Sequence, residues 1–129
     1  MSRENGEVIR RWVVDVTRDP AEWRLHPEIE WHLDSAHPDQ RVLHGRDDVV
    51  RYFQGWRAAF DNIRLDVTDY IDAGRHVVMP FVAHGRLKGS VSEVPLTETW
   101  VFDVRDGLIV QVREFLATDE ALKAVGLEE

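Results

Sequence analysis

Glu98 and Glu114 are the residues of this chain best placed for proton transfer. Each sits in an otherwise apolar series of alternate residues: Leu96, Trp100, Phe102 and Val104 for the first, Leu108, Val110, Val112 and Leu116 for the second. Side chains alternate across a strand with period two, so each glutamate shares the face of its apolar neighbours. Matching the two apolar sets puts Val104 opposite Leu108 across a three-residue loop, Arg105-Asp106-Gly107, with Gly107 in the left-handed position. That register sets Phe102 against Val110, Trp100 against Val112, and Glu98 directly against Glu114. A one-residue slip turns one apolar set away from the core. Like charges so opposed destabilise a strand pair, and poor hydration raises the pKa of at least one. A neutral and an ionised carboxyl side by side can donate to a developing oxyanion and take up a proton. The alternative is that both lie at the open end of the hairpin, reach water and pair with Arg or His.

The elements that must hold this hairpin follow from periodicity. Residues 4–18 read as a helix with Val8, Ile9, Trp12, Val13 and Val16 on one face, ended by Asp19-Pro20. A short irregular or helical piece over Ala21–His26 leads through Pro27 to a strand at Glu28–Asp34, and Ser35–Gln40 is a loop by composition. A second helix follows Gly45, with Asp47 and Asp48 in its first turn and Val49, Tyr52, Phe53, Trp56 and Phe60 as its apolar face. Residues 63–72 alternate as a strand broken only at Asp69. His76–His84 is apolar on both faces, as a central or interface-covered strand is. Strands Leu96–Val104 and Leu108–Leu116 follow, then a helix with Thr118 as N-cap and Gly126 just past its end. The pattern is α+β: a curved sheet with helices on its concave face, in one domain over residues 1–129.

Composition removes several functions. Sixteen basic against 24 acidic residues give a net charge of −8, which disfavours nucleic acid and anionic membrane surfaces. The sequence has no cysteine, which excludes thiol catalysis and disulfides. No signal peptide or membrane span is apparent, and a cytoplasmic setting is expected. Six histidines lack ligand spacing, so no metal and no cofactor are expected. His84, near a turn on an apolar strand, either meets a carboxylate inside the fold or is a partly exposed strand-end residue.

The aromatic set includes Trp12, Trp31, Tyr52, Trp56, Phe81 and Trp100. Such residues either fill a core or line a cavity for a flat, apolar ligand. Several strings in order resemble the SnoaL-like, nuclear-transport-factor-2-like superfamily, which includes ketosteroid isomerase: Pro27 to Trp31, Gly45 to Val49, Tyr70 to Gly74, His76 to Val78, Asp106 to Ile109, and Glu120 to Leu127. The resemblance implies a cone, a bent mixed or antiparallel sheet wrapped around N-terminal helices, with an apolar pocket and a homodimer burying the outer sheet face. It also implies that the oxyanion-hole tyrosine of ketosteroid isomerase falls at Trp12, its general-base aspartate at Trp31 and its oxyanion-hole acid at Glu98. Only the last keeps its chemistry, so steroid isomerisation by that mechanism is not expected. The Asp-Arg-Asp set of limonene epoxide hydrolase-like members is absent.

Three functions remain open. The first, which we favour, is a cofactor-independent enzyme using Glu98 and Glu114 on a hydrophobic polyketide-, steroid- or terpenoid-like molecule, by isomerisation, cyclisation or epoxide opening. The pocket would use Trp12, Trp31, Tyr52, Trp56, Phe81, His84 and Trp100. The second is a binding module with the same pocket and no chemistry. The third is a dimeric interaction protein whose interior is filled by its own side chains.

Overall fold

The computed structural model describes residues 2–15, 23–33 and 42–127. Helix α1 (Ser2–Asp15) precedes strands β1 (Leu25–His32) and β2 (Val42–His44). Helix α2 (Arg46–Ala59) runs straight into β3 (Phe60–Val67), followed by β4 (Ile71–Ala73), β5 (His76–Leu87), β6 (Glu93–Arg105), β7 (Leu108–Phe115) and helix α3 (Thr118–Ala124). The strands form one curved, unclosed mixed sheet in the order β2-β1-β7-β6-β5-β3, with β4 beside β3 on the edge of β5. Among the described residues, only the β1–β7 pairing is parallel. The fold class is α+β, as the sequence predicts.

Gly45 places the start of α2. Its φ of +86° is open to glycine at little cost, its N–H reaches the Ile29 carbonyl at 2.7 Å, and its own carbonyl accepts from Val49. Asp48, in the first turn, accepts the His44 N–H at 3.1 Å and so ties the helix to β2. Val49 and Phe53 are buried beneath α2, and Ile9 and Trp12 beneath α1. These two helices cover one face of the sheet, meeting Val77, Met79, Phe81, Trp100 and Phe102.

Several elements differ from the sequence expectation. β1 begins at Leu25, inside the segment read as irregular or helical, and a register break between Leu25 and Glu30 absorbs Pro27, which has no N–H to give the ladder. β2 is an added short strand. The strand expected over 63–72 is two, interrupted where Asp69 accepts the Tyr70 N–H. Thr118 is the first helical residue of α3 rather than its cap, which is Ala117, and the Thr118 hydroxyl instead meets that of Thr99 at 2.7 Å. Gly126 does close the helix in the left-handed conformation, with Leu127 N–H returning to the Leu122 carbonyl. The expected end of α1 at residue 18 and the Ser35–Gln40 loop lie outside the described residues.

α3 also corrects the idea that all helices share the concave face. Val78 and Val101 point away from α1 and α2 and are buried against Ala121 of α3. Part of the two-sided apolar character of β5 is therefore satisfied within the chain.

The decisive difference is in the last hairpin. Its loop is two residues, Asp106-Gly107, both with positive φ (52° and 77°), and Arg105 pairs with Leu108. Val110 is then extra: Val104 pairs with Ile109 but Asp103 with Gln111. The shorter turn moves the pairing one step from expectation and the bulge moves it a second. Ile109, not Leu108 or Val110, therefore enters the core before the bulge, while Val112 and Glu114 keep their expected face. Ile109→Ala should cost about 2–5 kcal/mol in urea unfolding, and Val110→Ala less than about 1 kcal/mol. Equal losses, or the reverse order, would contradict this register.

Candidate functional site

The two-step shift in the hairpin preserves the face of Glu114 but changes its partner. Trp100, not Glu98, stands opposite Glu114, and Glu98 lies one same-face step further along β6. The expected direct carboxylate opposition is thus corrected to a diagonal one, with Cβ atoms about 7–8 Å apart by sheet geometry. That separation relieves the contact repulsion and makes room for other groups. Both glutamates remain buried, at 5% and 8% exposure.

Each is held by an indole. Trp31 Nε1 donates to Glu114 Oε2 at 2.6 Å, and Trp100 Nε1 donates to Glu98 Oε1 at 2.9 Å. Trp31 arrives from β1, where it pairs with Val112 of the parallel neighbour β7. Its ring meets that of Trp100 edge-on, with centroids 5.0 Å apart. N–H donation strengthens when the acceptor is ionised and favours the charged form, whereas burial and a second carboxyl oppose it. The site therefore balances two opposite influences on one floor.

Around this floor the rings pack closely. Trp12 touches Trp23, Trp31, Phe53, Trp100 and Phe102 at centroid distances between 5.6 and 6.2 Å. Phe81 meets Trp100 at 4.6 Å. Trp12, Trp31, Phe81 and Trp100 are at most 1% exposed. Among the described residues they form a dense cluster rather than open walls. Trp12 Nε1 is nevertheless buried without a hydrogen-bond partner among the described residues. Tyr52 and Trp56 lie further out, partly exposed and in contact with Phe53. Trp23 and Phe53 join the cluster unforeseen as site residues. Trp23 carries no periodic signal, since it precedes the first strand.

A cavity of about 180 Å3 opens beside the cluster, lined by Trp56, Phe60 and Ile63 on one side and by Ala83, His84, Gly85, Pro95 and Leu96 of β5 and β6 on the other. Neither glutamate lines it. Glu98 follows Leu96 by two residues on the same face, about 7 Å along the strand. Sequence reasoning placed Phe60 on the helix face and missed its role here, because α2 and β3 join without a loop.

His84 is a partly exposed residue near the end of β5, the second of its two expectations, and it is among the residues lining the cavity. It pairs with Arg64 of β3 and Pro95 of β6, and its side chain lies between Asp66 (3.0 Å from Nε2) and Glu93 (3.1 Å from Nδ1). It does meet carboxylates, but on the opposite face from Ala83, Leu96 and the two buried glutamates. Strand alternation dictates this once Ala83 faces inward. Two titrations are displaced elsewhere. Burial lowers the His76 pKa, with Asp103 opposing and Arg113, Arg75 and Arg105 assisting. Burial raises that of Tyr70, offset by Arg10, whose guanidinium lies 4.7 Å from its ring centre. Among the described residues, no three His, Asp or Glu are grouped to hold a metal ion, and no helix is long and apolar enough to cross a membrane.

The sequence profile of the SnoaL-like domain matches residues 9–112, so the chain belongs to that family. Solved structures share its fold. An NTF2-like protein from Burkholderia thailandensis is 22% identical with a TM-score of 0.74, over 97% of this chain and 98% of the other. A protein of a Jannaschia species described as a candidate SnoaL-like polyketide cyclase is 16% identical with a TM-score of 0.74, over 99% and 95%. TerC, co-crystallised with polyporic acid, is 18% identical with a TM-score of 0.72, over 95% and 98%. Among curated proteins, none matches the chain in sequence.

A double-mutant cycle tests the indole clamp. Trp31→Phe and Glu114→Gln, singly and together, should couple by about 1.5–3 kcal/mol in urea unfolding at neutral pH, as for a hydrogen bond to a charged group. Coupling near zero would mean that the N–H contributes nothing to the carboxyl.

Proposed function

We propose that this SnoaL-like protein is a cofactor-independent acid/base enzyme acting on a hydrophobic small molecule of polyketide, steroid or terpenoid type, by isomerisation, cyclisation or epoxide opening. The observation that carries the reading is the pair of buried glutamates on one face, each held by an indole N–H. Two carboxyls buried on one apolar face are poorly hydrated, which favours keeping one of them protonated. In the proposed division, Glu114 is ionised, since its 2.6 Å indole bond is the shorter and favours charge. Glu98, nearer the cavity, is neutral and donates to the oxygen on which charge develops. Glu114 accepts the proton that leaves carbon, or orients water toward an epoxide carbon. The N–H of Trp12, unpartnered among the described residues, supports a bound acceptor in the same region, because a buried donor left alone costs about 1–3 kcal/mol.

A second reading is a binding module without chemistry. It is favoured by one observation: neither glutamate lines the cavity of Trp56 and Leu96, and both satisfy buried indoles. The two readings separate by substitution. Screening epoxides and polyketide-like enones should yield turnover that Glu98→Gln lowers by about 100-fold or more, with ligand affinity little changed. Turnover unaffected by Glu98→Gln would remove the acid/base role, and binding lost on Trp31→Ala alone would favour the module.

A further inference from the structure

We infer that the cavity at the mouth of the sheet is a subsite for a single six-membered ring bearing one short polar substituent. Its walls come from three places: Trp56 at the end of α2, Phe60 and Ile63 at the start of β3, and the β5–β6 arm with Ala83, Pro95 and Leu96. Gly85 shapes it. A Cβ at that position would come within 3.2 Å of Phe60 Cδ1, so the absence of a side chain lets the Phe60 ring lie against the strand.

Size defines the ligand class. The volume is about 180 Å3. An apolar cavity of about 150 Å3 accepts benzene, whereas pockets for drug-sized molecules run to about 300–1,000 Å3. One ring with a short substituent fits, and a three- or four-ring skeleton does not. Chemistry defines the rest. Two aromatic walls and an apolar lining reward a flat, uncharged body. Leu96, an inward-facing leucine that is 40% exposed, stands at the entrance and gains by being covered. The next inward residue along β6 is Glu98, so the substituent that points inward is the polar one.

The inference rests on the acid/base reading and narrows its substrate from polycyclic skeletons, steroids included, to a single ring, yet the subsite can be tested without turnover. The probes are p-cresol, toluene and 9-phenanthrol, titrated while following the methyl signals of Ile63 and Leu96 by NMR. The expected result is saturable movement of both methyls with p-cresol and at least tenfold weaker binding of 9-phenanthrol. Leu96→Phe, which narrows a half-exposed entrance, should weaken p-cresol at least tenfold while leaving the remaining spectrum folded. Trp56→Ala, which enlarges the cavity, should admit 9-phenanthrol. Glu98→Gln should retain p-cresol binding but alter the preference for p-cresol over toluene. Retained binding without any turnover would count against the acid/base reading alone. No saturable movement of either methyl, or 9-phenanthrol binding as tightly as p-cresol to the folded protein, would overturn the subsite.

Discussion

The interior of this protein is organised by the need to keep two buried carboxyls satisfied. Glu98 and Glu114 sit on the helix-covered face of the sheet, where solvent contributes little to their hydration. Uncompensated, such burial would either neutralise the groups or unfold the hairpin. Two indole N–H groups supply the compensation, and both indoles depend on the sheet to aim them. Trp100 stands between the glutamates, next to one along its strand and opposite the other. Trp31 comes from the far side of β7 through the one parallel pairing. The N-terminal strand is thus required by the chemistry of the C-terminal hairpin.

The same constraint explains why the aromatic cluster is so dense. An indole has a single N–H donor, so committing it restricts how the ring can be oriented. Trp12, Phe53, Phe81 and Phe102 then fill the angles left around these two rings, mostly edge-to-face or tilted. Among the described residues, a cavity opens at the edge of this packing, between Trp56 and Leu96. The SnoaL-like fold tolerates this redistribution because the scaffold fixes strand faces, not the contents of the interior.

How much was legible in the sequence depends on which physical rule each feature obeys. Period-two alternation identified the face of Glu98 and Glu114 correctly, since it survives any even shift in pairing. It could not identify the partner, because a two-residue turn and a bulge at Val110 each add one step and neither alters the pattern enough to be seen. The expectation that Leu108 and Val110 face the core fails for the same reason, and Ile109 takes their place. His84 could be given only as two alternatives, because a strand apolar on both faces carries no parity signal. α3 covering Val78 and Val101 is what made β5 apolar on its outer side. Trp31 as a donor to Glu114 joins residues 83 apart in sequence, and only the parallel pairing of β1 with β7 reveals it.

The most direct test of this account is the titration of the Glu98 and Glu114 side-chain carboxyls by carbon-detected NMR, with single Gln variants for assignment. The account predicts two separated transitions, with Glu98 displaced upward from the ordinary carboxylate range and Glu114 the first to ionise. Trp31→Phe should then raise the Glu114 transition. Two overlapping ordinary transitions, unmoved by Trp31→Phe, would mean hydrated and independent carboxyls and would contradict the coupled acid/base pair.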